Sequence, residues 1–319
     1  MFRIRWTPIV LLLVAVIPIR CVTQQIAPTP SMSPGQAVCI HDGTRQDLVR
    51  ARFKEAEAEL RHVLATDPSC AEAHFLLAYT LLRQNLPQAS LAEYTAGARI
   101  RTPTAEDLRD VALDYVLLDD YIDAANWAGR AIQANSRDAE SWYVLGRIRY
   151  SSGKFQDAAD AFTHSLSLEP ENVKAEDNLG LAYQSLNQID KAIDAYRTAI
   201  AFGEKSGQPS AQPMIDLAIV LDDRSDLDGA LTQLSRAVAL APEDSRAREH
   251  LGHVYLELNQ LPKAQTQLEK AVSLSPRDAR LHFLLGQVYR REGIKEKADA
   301  EFARFASLNG TQSTPDYVK

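Results

Sequence analysis

The hydrophobic positions of this chain recur with a helical period over most of its length. Between about Thr44 and Asn309, apolar residues return every three or four positions, and short polar breaks separate the segments. Residues 24–43 are rich in Pro, Ser and Gly and lack that period, which predicts a linker. Residues 310–319 are mostly polar and predict a tail. The pattern therefore predicts one continuous helical region, 44–309.

The helical region repeats itself with a period of about 34 residues. Each window holds two amphipathic helices, and its positions are counted from its first residue. The seven windows begin at Ala71, Ala105, Ala139, Val173, Ala211, Ser245 and Ala279. The segment from Gln46 to Thr66, ahead of the first window, predicts one further helix and thus half a repeat.

Two positions of the repeat hold only small residues. Position 8 is Ala78, Ala112, Gly146, Gly180, Ala218, Gly252 and Gly286, and position 20 is Ser90, Ala124, Ala158, Ala192, Ala230, Ala264 and Ala298. Glycine inside a helix costs about 0.5–1 kcal/mol relative to alanine, so its recurrence indicates a close approach of two helices. Large residues, among them Phe162, Tyr196 and Phe302 at position 24, are expected to fill the space around this crossing.

The ends of the helices are also marked in the sequence. Proline at position 32 predicts the end of a second helix, and Asp or Asn at position 34 predicts the cap of the next first helix. The prolines are Pro68, Pro170, Pro242 and Pro276, and the caps are Asp138, Asn172, Asp244 and Asp278. One interval, within residues 203–210, is about four residues longer than the others and predicts a loop insertion.

The order Trp142, Leu145, Gly146, followed by Ala158, Phe162 and Pro170, resembles the tetratricopeptide repeat (TPR) family. The resemblance implies an all-α fold, a right-handed superhelical solenoid of about seven and a half helix-turn-helix repeats. It also implies a concave groove lined by the first helices. The groove residues carried over from the family pattern are Tyr143, Arg147, Tyr150, Asp177, Gln184, Glu249 and His253.

Composition narrows the choice of partner. The chain has a formal net charge of −7 and an isoelectric point of about 5.6. Nucleic acids and anionic membrane surfaces are bound through basic patches, so neither is expected as a general partner. A protein or peptide partner is expected instead, because the groove positions mix polar, apolar and aromatic residues.

The first residues have the order of an export signal. Arg3 and Arg5 precede an apolar run from Pro8 to Ile19, which is shorter than the roughly 20 residues of a membrane span. Residues 1–23 are therefore expected to be a signal or an N-terminal anchor, and the protein to be exported, periplasmic or tethered to a membrane. The alternative is a cytoplasmic protein with an apolar start, because Arg20 stands where a cleavage site needs a small residue.

A search for catalytic patterns gives no supported site. The glycines are scattered rather than gathered in a phosphate-binding loop, and no nucleophile-elbow or zinc-protease motif is present. His250 and His253 lie beside Glu249 but lack an evident third ligand, so neither a metal nor another cofactor is expected.

The sequence therefore favours a non-enzymatic scaffold that binds a peptide or a partner helix. The alternative is an accessory or carrier subunit of an enzyme that handles a cell-envelope polymer, a glycan or a peptide. Aromatic stacking by Tyr143 and Tyr150 would suit a glycan.

We predict that Cys39 and Cys70 form a disulfide when the protein is made in an oxidising compartment. Cys39 lies in the segment that can return over the end of the array, where a covering segment would shield apolar surface from water. Mass spectrometry after thiol labelling measures the bond. Two free thiols at these positions in the exported protein would contradict the prediction.

Overall fold

The computed structural model describes residue 40 and residues 42–310 of the chain. These residues form sixteen α-helices and no strand. The helices are α1 (Asp42–Val49), α2 (Phe53–Thr66), α3 (Ala71–Arg83), α4 (Pro87–Ile100), α5 (Ala105–Leu117), α6 (Tyr121–Ala134), α7 (Ala139–Ser151), α8 (Phe155–Leu168), α9 (Val173–Ser185), α10 (Ile189–Lys205), α11 (Ala211–Asp223), α12 (Leu227–Leu240), α13 (Ser245–Glu257), α14 (Leu261–Leu274), α15 (Ala279–Arg291) and α16 (Lys295–Gly310). The prediction of an all-α repeat fold is confirmed.

The chain divides within α6 into two compact units, unit 1 up to Ala131 and unit 2 from Ile132. In unit 2, α7 and α8 form a helical hairpin, and the pairs α9/α10, α11/α12, α13/α14 and α15/α16 do the same. Each of these hairpins packs on the next through a second helix and the following first helix. In unit 1, α1/α2 and α3/α4 are hairpins built in the same way.

All seven predicted windows begin at the first residue of an odd-numbered helix, from α3 to α15. The segment ahead of them differs from the prediction. It contains two helices, α1 and α2, because Ala51 adopts a left-handed conformation with φ of 55° and interrupts the helix. The array therefore starts with a hairpin whose first helix is short, rather than with half a repeat.

The close approach inside each hairpin is made by the small residue at position 8. A Cβ atom added to Gly146 would lie 2.6 Å from the Phe162 ring, and one added to Gly180 would lie 2.5 Å from the Tyr196 ring. Gly252 and Gly286 stand in the same relation to the position 24 side chains of their own hairpins. Position 20 reaches the same stretch of the first helix, since Ser90 Oγ donates to the Ala78 carbonyl at 2.8 Å. The two small positions thus serve one crossing, and in the hairpins that carry glycine at position 8 the large side chain at position 24 fills the space beside it.

The turn inside each hairpin is closed by a residue in the left-handed conformation at position 15. These residues are Asn85, Asp119, Gly153, Asn187, Ser225, Asn259 and Gly293. Asn and Gly tolerate this conformation better than most residues. The amide of the following residue then bonds back over the turn, as the Gln188 amide does to the Tyr183 carbonyl at 2.8 Å. The left-handed residue at position 15 was not predicted from the sequence.

The turns between hairpins follow the predicted caps with one exception. The side chains of Asn172, Asp244 and Asp278 each accept a hydrogen bond from an amide of the first turn that follows. Asp138 makes no such cap, and its carboxylate accepts from the Ser141 hydroxyl instead.

A side chain at position 4 ties the proline turn to the helix that follows it. His282 contacts the Pro276 carbonyl at 3.0 Å and Glu301 on α16 at 2.6 Å. His74 does the same with Pro68 and Glu93, and Arg248 with Pro242 and Gln267. One polar side chain thus fixes both the turn and the second helix of its hairpin.

The long interval at residues 203–210 is helical as far as Lys205 and irregular from Ser206 to Ser210, so the predicted loop insertion is in part an extension of α10. Helix α10 is 17 residues long, against 14 for α8, α12 and α14. It stops before Gly207, which has φ of 69°. The added turn carries Glu204 and Lys205, which form ion pairs with Arg236 and Glu171. The inserted residues are therefore attached to the hairpins on either side.

We predict that Gly180→Ala destabilises the protein by about 1–3 kcal/mol, because the new methyl group would collide with the Tyr196 ring. The matched control is Gly129→Ala in α6, where an added Cβ has no atom within 4 Å. That change should be neutral or stabilise the helix by up to about 1 kcal/mol. Equal midpoints of urea unfolding for the two variants would contradict the close approach.

Candidate functional site

The first helices of unit 2 form one continuous face, which we call the first-helix face. Each of α7, α9, α11 and α13 contacts the next first helix directly, in addition to its own hairpin partner. Among the described residues, successive second helices make no comparable contacts. The closer spacing of the first helices places this face on the inner side of the curvature of unit 2. All seven predicted groove residues lie on these helices.

Tyr143 is part of the core rather than of the open surface. Only 8% of the residue is exposed, and its ring lies 5.8 Å from the Phe162 ring. Burial raises the pKa of the Tyr143 hydroxyl to about 12. Its hydroxyl still reaches the next first helix, where Asn178 Nδ2 donates to it at 3.5 Å. Tyr143 therefore packs beneath the first-helix face, and its ring is not exposed for contact with a partner.

Arg147, one turn later on α7, is exposed. Its guanidinium lies 5.9 Å from the centre of the Tyr143 ring, a cation–π arrangement. No carboxylate of the described residues forms an ion pair with it among the contacts within 4.0 Å. Arg147 is therefore the predicted groove residue with the most donors left for a partner.

Tyr150 and Gln184 lie at the other end of the same two helices, and both are half-buried. Ser185 Oγ donates to the Tyr150 hydroxyl at 3.2 Å, which joins α7 to α9. The Tyr150 ring packs 5.3 Å from Phe155. Gln184 Oε1 accepts from the Tyr196 hydroxyl at 2.9 Å, so part of its hydrogen-bonding capacity is used inside its own hairpin.

Asp177 is buried between neighbouring first helices. Only 6% of the residue is exposed, and its Oδ1 has no hydrogen-bond partner among the described residues. Burial raises the pKa of Asp177 well above the ordinary value, and the negative charge of Asp216 on α11 adds to the rise. A carboxyl in this setting favours its neutral form.

Asp216 on α11, beside Ile215, was not predicted as a site residue from the sequence. The structure buries both. Asp216 accepts from Gln212 at 2.5 Å and pairs with Arg246 on α13 at 3.3 Å. Burial is the main influence on this carboxyl and raises its pKa, whereas Gln212 and Arg246 act in the opposite direction.

Glu249 repeats this arrangement one hairpin later. It is buried on α13 and pairs with Arg280 on α15 at 3.5 Å. Burial raises the pKa of Glu249, and Arg280 opposes the rise. Arg246 and Arg280 both stand at position 2 of the repeat that follows the acid. The same acid–arginine ion pair is thus formed at two successive junctions between first helices. At the corresponding place after Asp177 the chain has Gln212, which is neutral.

His253 pairs with Asp222 on α11 through Nδ1 at 3.1 Å and lies 4.0 Å from Glu257. His250 is half-buried, and burial lowers its pKa to about 4. In the part of the chain that the structure describes, no three residues of the types His, Cys, Asp and Glu come together as metal ligands.

Cys70 directly precedes the first full window, and its Sγ accepts a hydrogen bond from the Ala73 amide at 3.3 Å. Its sulfur is part of a disulfide. Cys39 lies outside the described residues, so the pairing of Cys39 with Cys70 stays a prediction.

The predicted signal or anchor (1–23) and nearly all of the predicted linker lie outside the described residues too. Within residues 42–310, no helix has both the length and the apolar character that crossing a membrane requires.

We predict that Tyr143→Ala lowers the free energy of unfolding by about 3–5 kcal/mol, because it empties space in the core beside Phe162. Tyr143→Phe keeps the ring and should cost about 1 kcal/mol or less. Chemical denaturation of both variants measures the difference. Tyr143→Ala with wild-type stability would mean that the ring is on the surface.

This chain is similar in sequence to a curated protein and in fold to two solved structures. Anaphase-promoting complex subunit 3 of Schizosaccharomyces pombe is 27% identical over 131 residues, covering 41% of this chain and 19% of that protein. This chain thus spans about a fifth of the length of that relative.

The structure of yeast Tom70 has a TM-score of 0.61 at 18% identity and covers 83% of this chain and 56% of that chain. The Cut9–Hcn1 hetero-tetramer of the APC/C has a TM-score of 0.59 at 18% identity, covering 83% of this chain and 52% of that one. At these identities the similarity shows the fold alone.

Family models agree with the repeat windows. Models described as tetratricopeptide repeat match residues 47–106, 139–172, 177–202 and 215–264, and one described as TPR repeat matches residues 252–293. Together they cover more than half of the chain. The chain belongs to the tetratricopeptide repeat family.

Proposed function

We propose that this protein is a non-enzymatic scaffold that binds a peptide or a helix of a partner protein on the first-helix face of unit 2. The observation that carries the proposal is Arg147, an exposed guanidinium on the inner side with no ion-pair partner within the described region. Arginine is among the residue types that most often dominate binding energies, since it combines contact area with directed hydrogen bonds. The name of the Schizosaccharomyces pombe relative, a subunit of a complex, supports the same class of function.

The properties of the face suit a polar or partly charged segment. Arg147 and Lys174 are exposed on α7 and α9, whereas Asp223 and Glu257 are exposed on α11 and α13. An extended peptide or amphipathic helix with complementary charges would lie across such a surface.

We further propose that the protein works outside the cytoplasm, because Arg3 and Arg5 followed by the apolar run to Ile19 have the order of an export signal. The rival function, handling of a glycan, would need an aromatic platform. Because the Tyr143 ring is packed in the core, the pair of tyrosines that suggested a platform is reduced to Tyr150.

We predict that Arg147→Ala weakens partner binding by about 2 kcal/mol or more, with little effect on the melting temperature. The partner is first captured with the full chain from separated envelope and cytosolic fractions of the native cells. Its affinity is then measured by calorimetry. Recovery from the cytosol alone would contradict the proposed location.

The matched control is Arg197→Ala on the second helix α10, since Arg197 is also exposed. This variant should bind the partner as the wild type does. If Arg197→Ala abolishes binding and Arg147→Ala leaves it intact, the partner occupies the second-helix side and the proposal is wrong.

A further inference from the structure

In unit 1, the hydroxyl of Ser90 lies within hydrogen-bonding distance of two oxygen atoms. Ser90 Oγ is 2.8 Å from the Ala78 carbonyl oxygen on α3 and 2.6 Å from Asp114 Oδ2 on α5. Ser90 and Asp114 are each 1% exposed, so water does not compete for these contacts. The three residues join the first helices of two successive repeats through α4.

A count of protons decides which group donates. A serine hydroxyl has one proton and can donate one full hydrogen bond. The carbonyl of Ala78 has no proton to give, so two full hydrogen bonds require that Asp114 donates to Ser90 Oγ. This geometry is complete only when Asp114 carries a proton.

The surroundings of Asp114 favour that neutral form. Its second oxygen, Oδ1, has no hydrogen-bond partner among the described residues, so a charge on the carboxylate would be poorly solvated. Burial raises the pKa of Asp114 to about 7, and the hydrogen bond with Ser90 opposes the rise.

The nearby charged groups act on Asp110, one turn earlier on α5, more than on Asp114. Burial raises the pKa of Asp110, Arg109 lowers it, and the negative charges of the other α5 acids add to the rise. These acids are Glu106, Asp107 and Asp114. From the helices packed around α5, the titratable groups facing this region are Tyr79 on α3 and Tyr94 on α4, together with Arg101 beyond α4 and Arg130 on α6.

We propose that Ser90 and Asp114 form a proton-controlled switch in unit 1. It makes or breaks the hydrogen bond between α4 and α3, while the hydrogen bond between α4 and α5 is kept. With Asp114 protonated, its carboxyl donates to Ser90, and Ser90 donates to the Ala78 carbonyl, so α3, α4 and α5 are joined in one chain of bonds. When the Asp114 proton leaves to solvent, the Ser90 hydroxyl turns to the carboxylate. The hydrogen bond from Ser90 to the Ala78 carbonyl is then lost, and the one between Ser90 and Asp114 is kept.

The direction of the pH effect follows from proton binding. Burial raises the pKa of Asp114 to about 7 in the folded unit, whereas the carboxyl of an opened or unfolded chain has the ordinary pKa of about 3.9. Opening therefore releases a proton between these values. Asp114 by itself therefore raises the equilibrium constant for opening by up to about tenfold per pH unit in this window, and its contribution levels off above the window.

The first test uses the wild-type full chain and no substitution. The carbon-13 shift of the Asp114 carboxyl is followed by NMR from pH 4 to pH 9, together with that of the Ala78 carbonyl. We expect both signals to move with one midpoint near 7. A midpoint for Asp114 near 4 would overturn the proposal, and an Ala78 carbonyl that does not respond would show a buried acid without a switch.

The second test compares amide hydrogen exchange in α4 after correction for the intrinsic pH dependence of exchange. Asp114→Asn is always neutral and can donate to Ser90, so the contribution of Asp114, up to about tenfold per pH unit, should disappear and only that of Asp110 should remain. The control is Glu55→Gln, an exposed carboxyl on α2 of the same unit, which should keep the contribution of Asp114. An unchanged dependence in Asp114→Asn would overturn the proposal.

Discussion

The fold depends on one steric constraint, the close approach of two helices at position 8 of each repeat. At Gly180, the backbone lies so near Tyr196 that not even a methyl group fits between them. Aromatic rings bury large areas, and a ring resting directly on a helix backbone does so without a cavity. The contact is made within a segment of about 34 residues, so each hairpin obtains its central packing from neighbours in sequence.

The same constraint explains why helix positions could be predicted so closely. Small residues at positions 8 and 20 and prolines at position 32 are local signals, and each acts within its own repeat. The break at Ala51 could not be predicted in this way, because alanine ordinarily favours a helix and only the short first hairpin places it in a left-handed turn. The extra turn of α10 was hidden for a similar reason: Gly203, Ser206 and Gly207 suggest a loop, but ion pairs with adjacent hairpins hold Glu204 and Lys205 in helical positions.

The exposure of the candidate site residues was harder to predict than the fold, since it depends on packing against residues distant in sequence. The family pattern placed Tyr143 and Arg147 on the first-helix face, yet their burial differs because Tyr143 also contacts the Phe162 ring of its own hairpin. Asp216 escaped notice because its burial and its pairing with Arg246 involve a residue about 30 positions away. Asp177, on the neighbouring helix α9, has no arginine at the matching place. Burial therefore raises its pKa and favours its neutral form.

The added turn of α10 also affects how the array can change over evolutionary time. Hairpins with helices of equal length keep the same backbone spacing at their junctions when they are duplicated, lost or exchanged by recombination. The hairpin α9/α10 differs, because its longer second helix carries Glu204, which pairs with Arg236 of the following hairpin. Moving this hairpin elsewhere would separate these two charges. The lengthened helix therefore distinguishes this junction from the others.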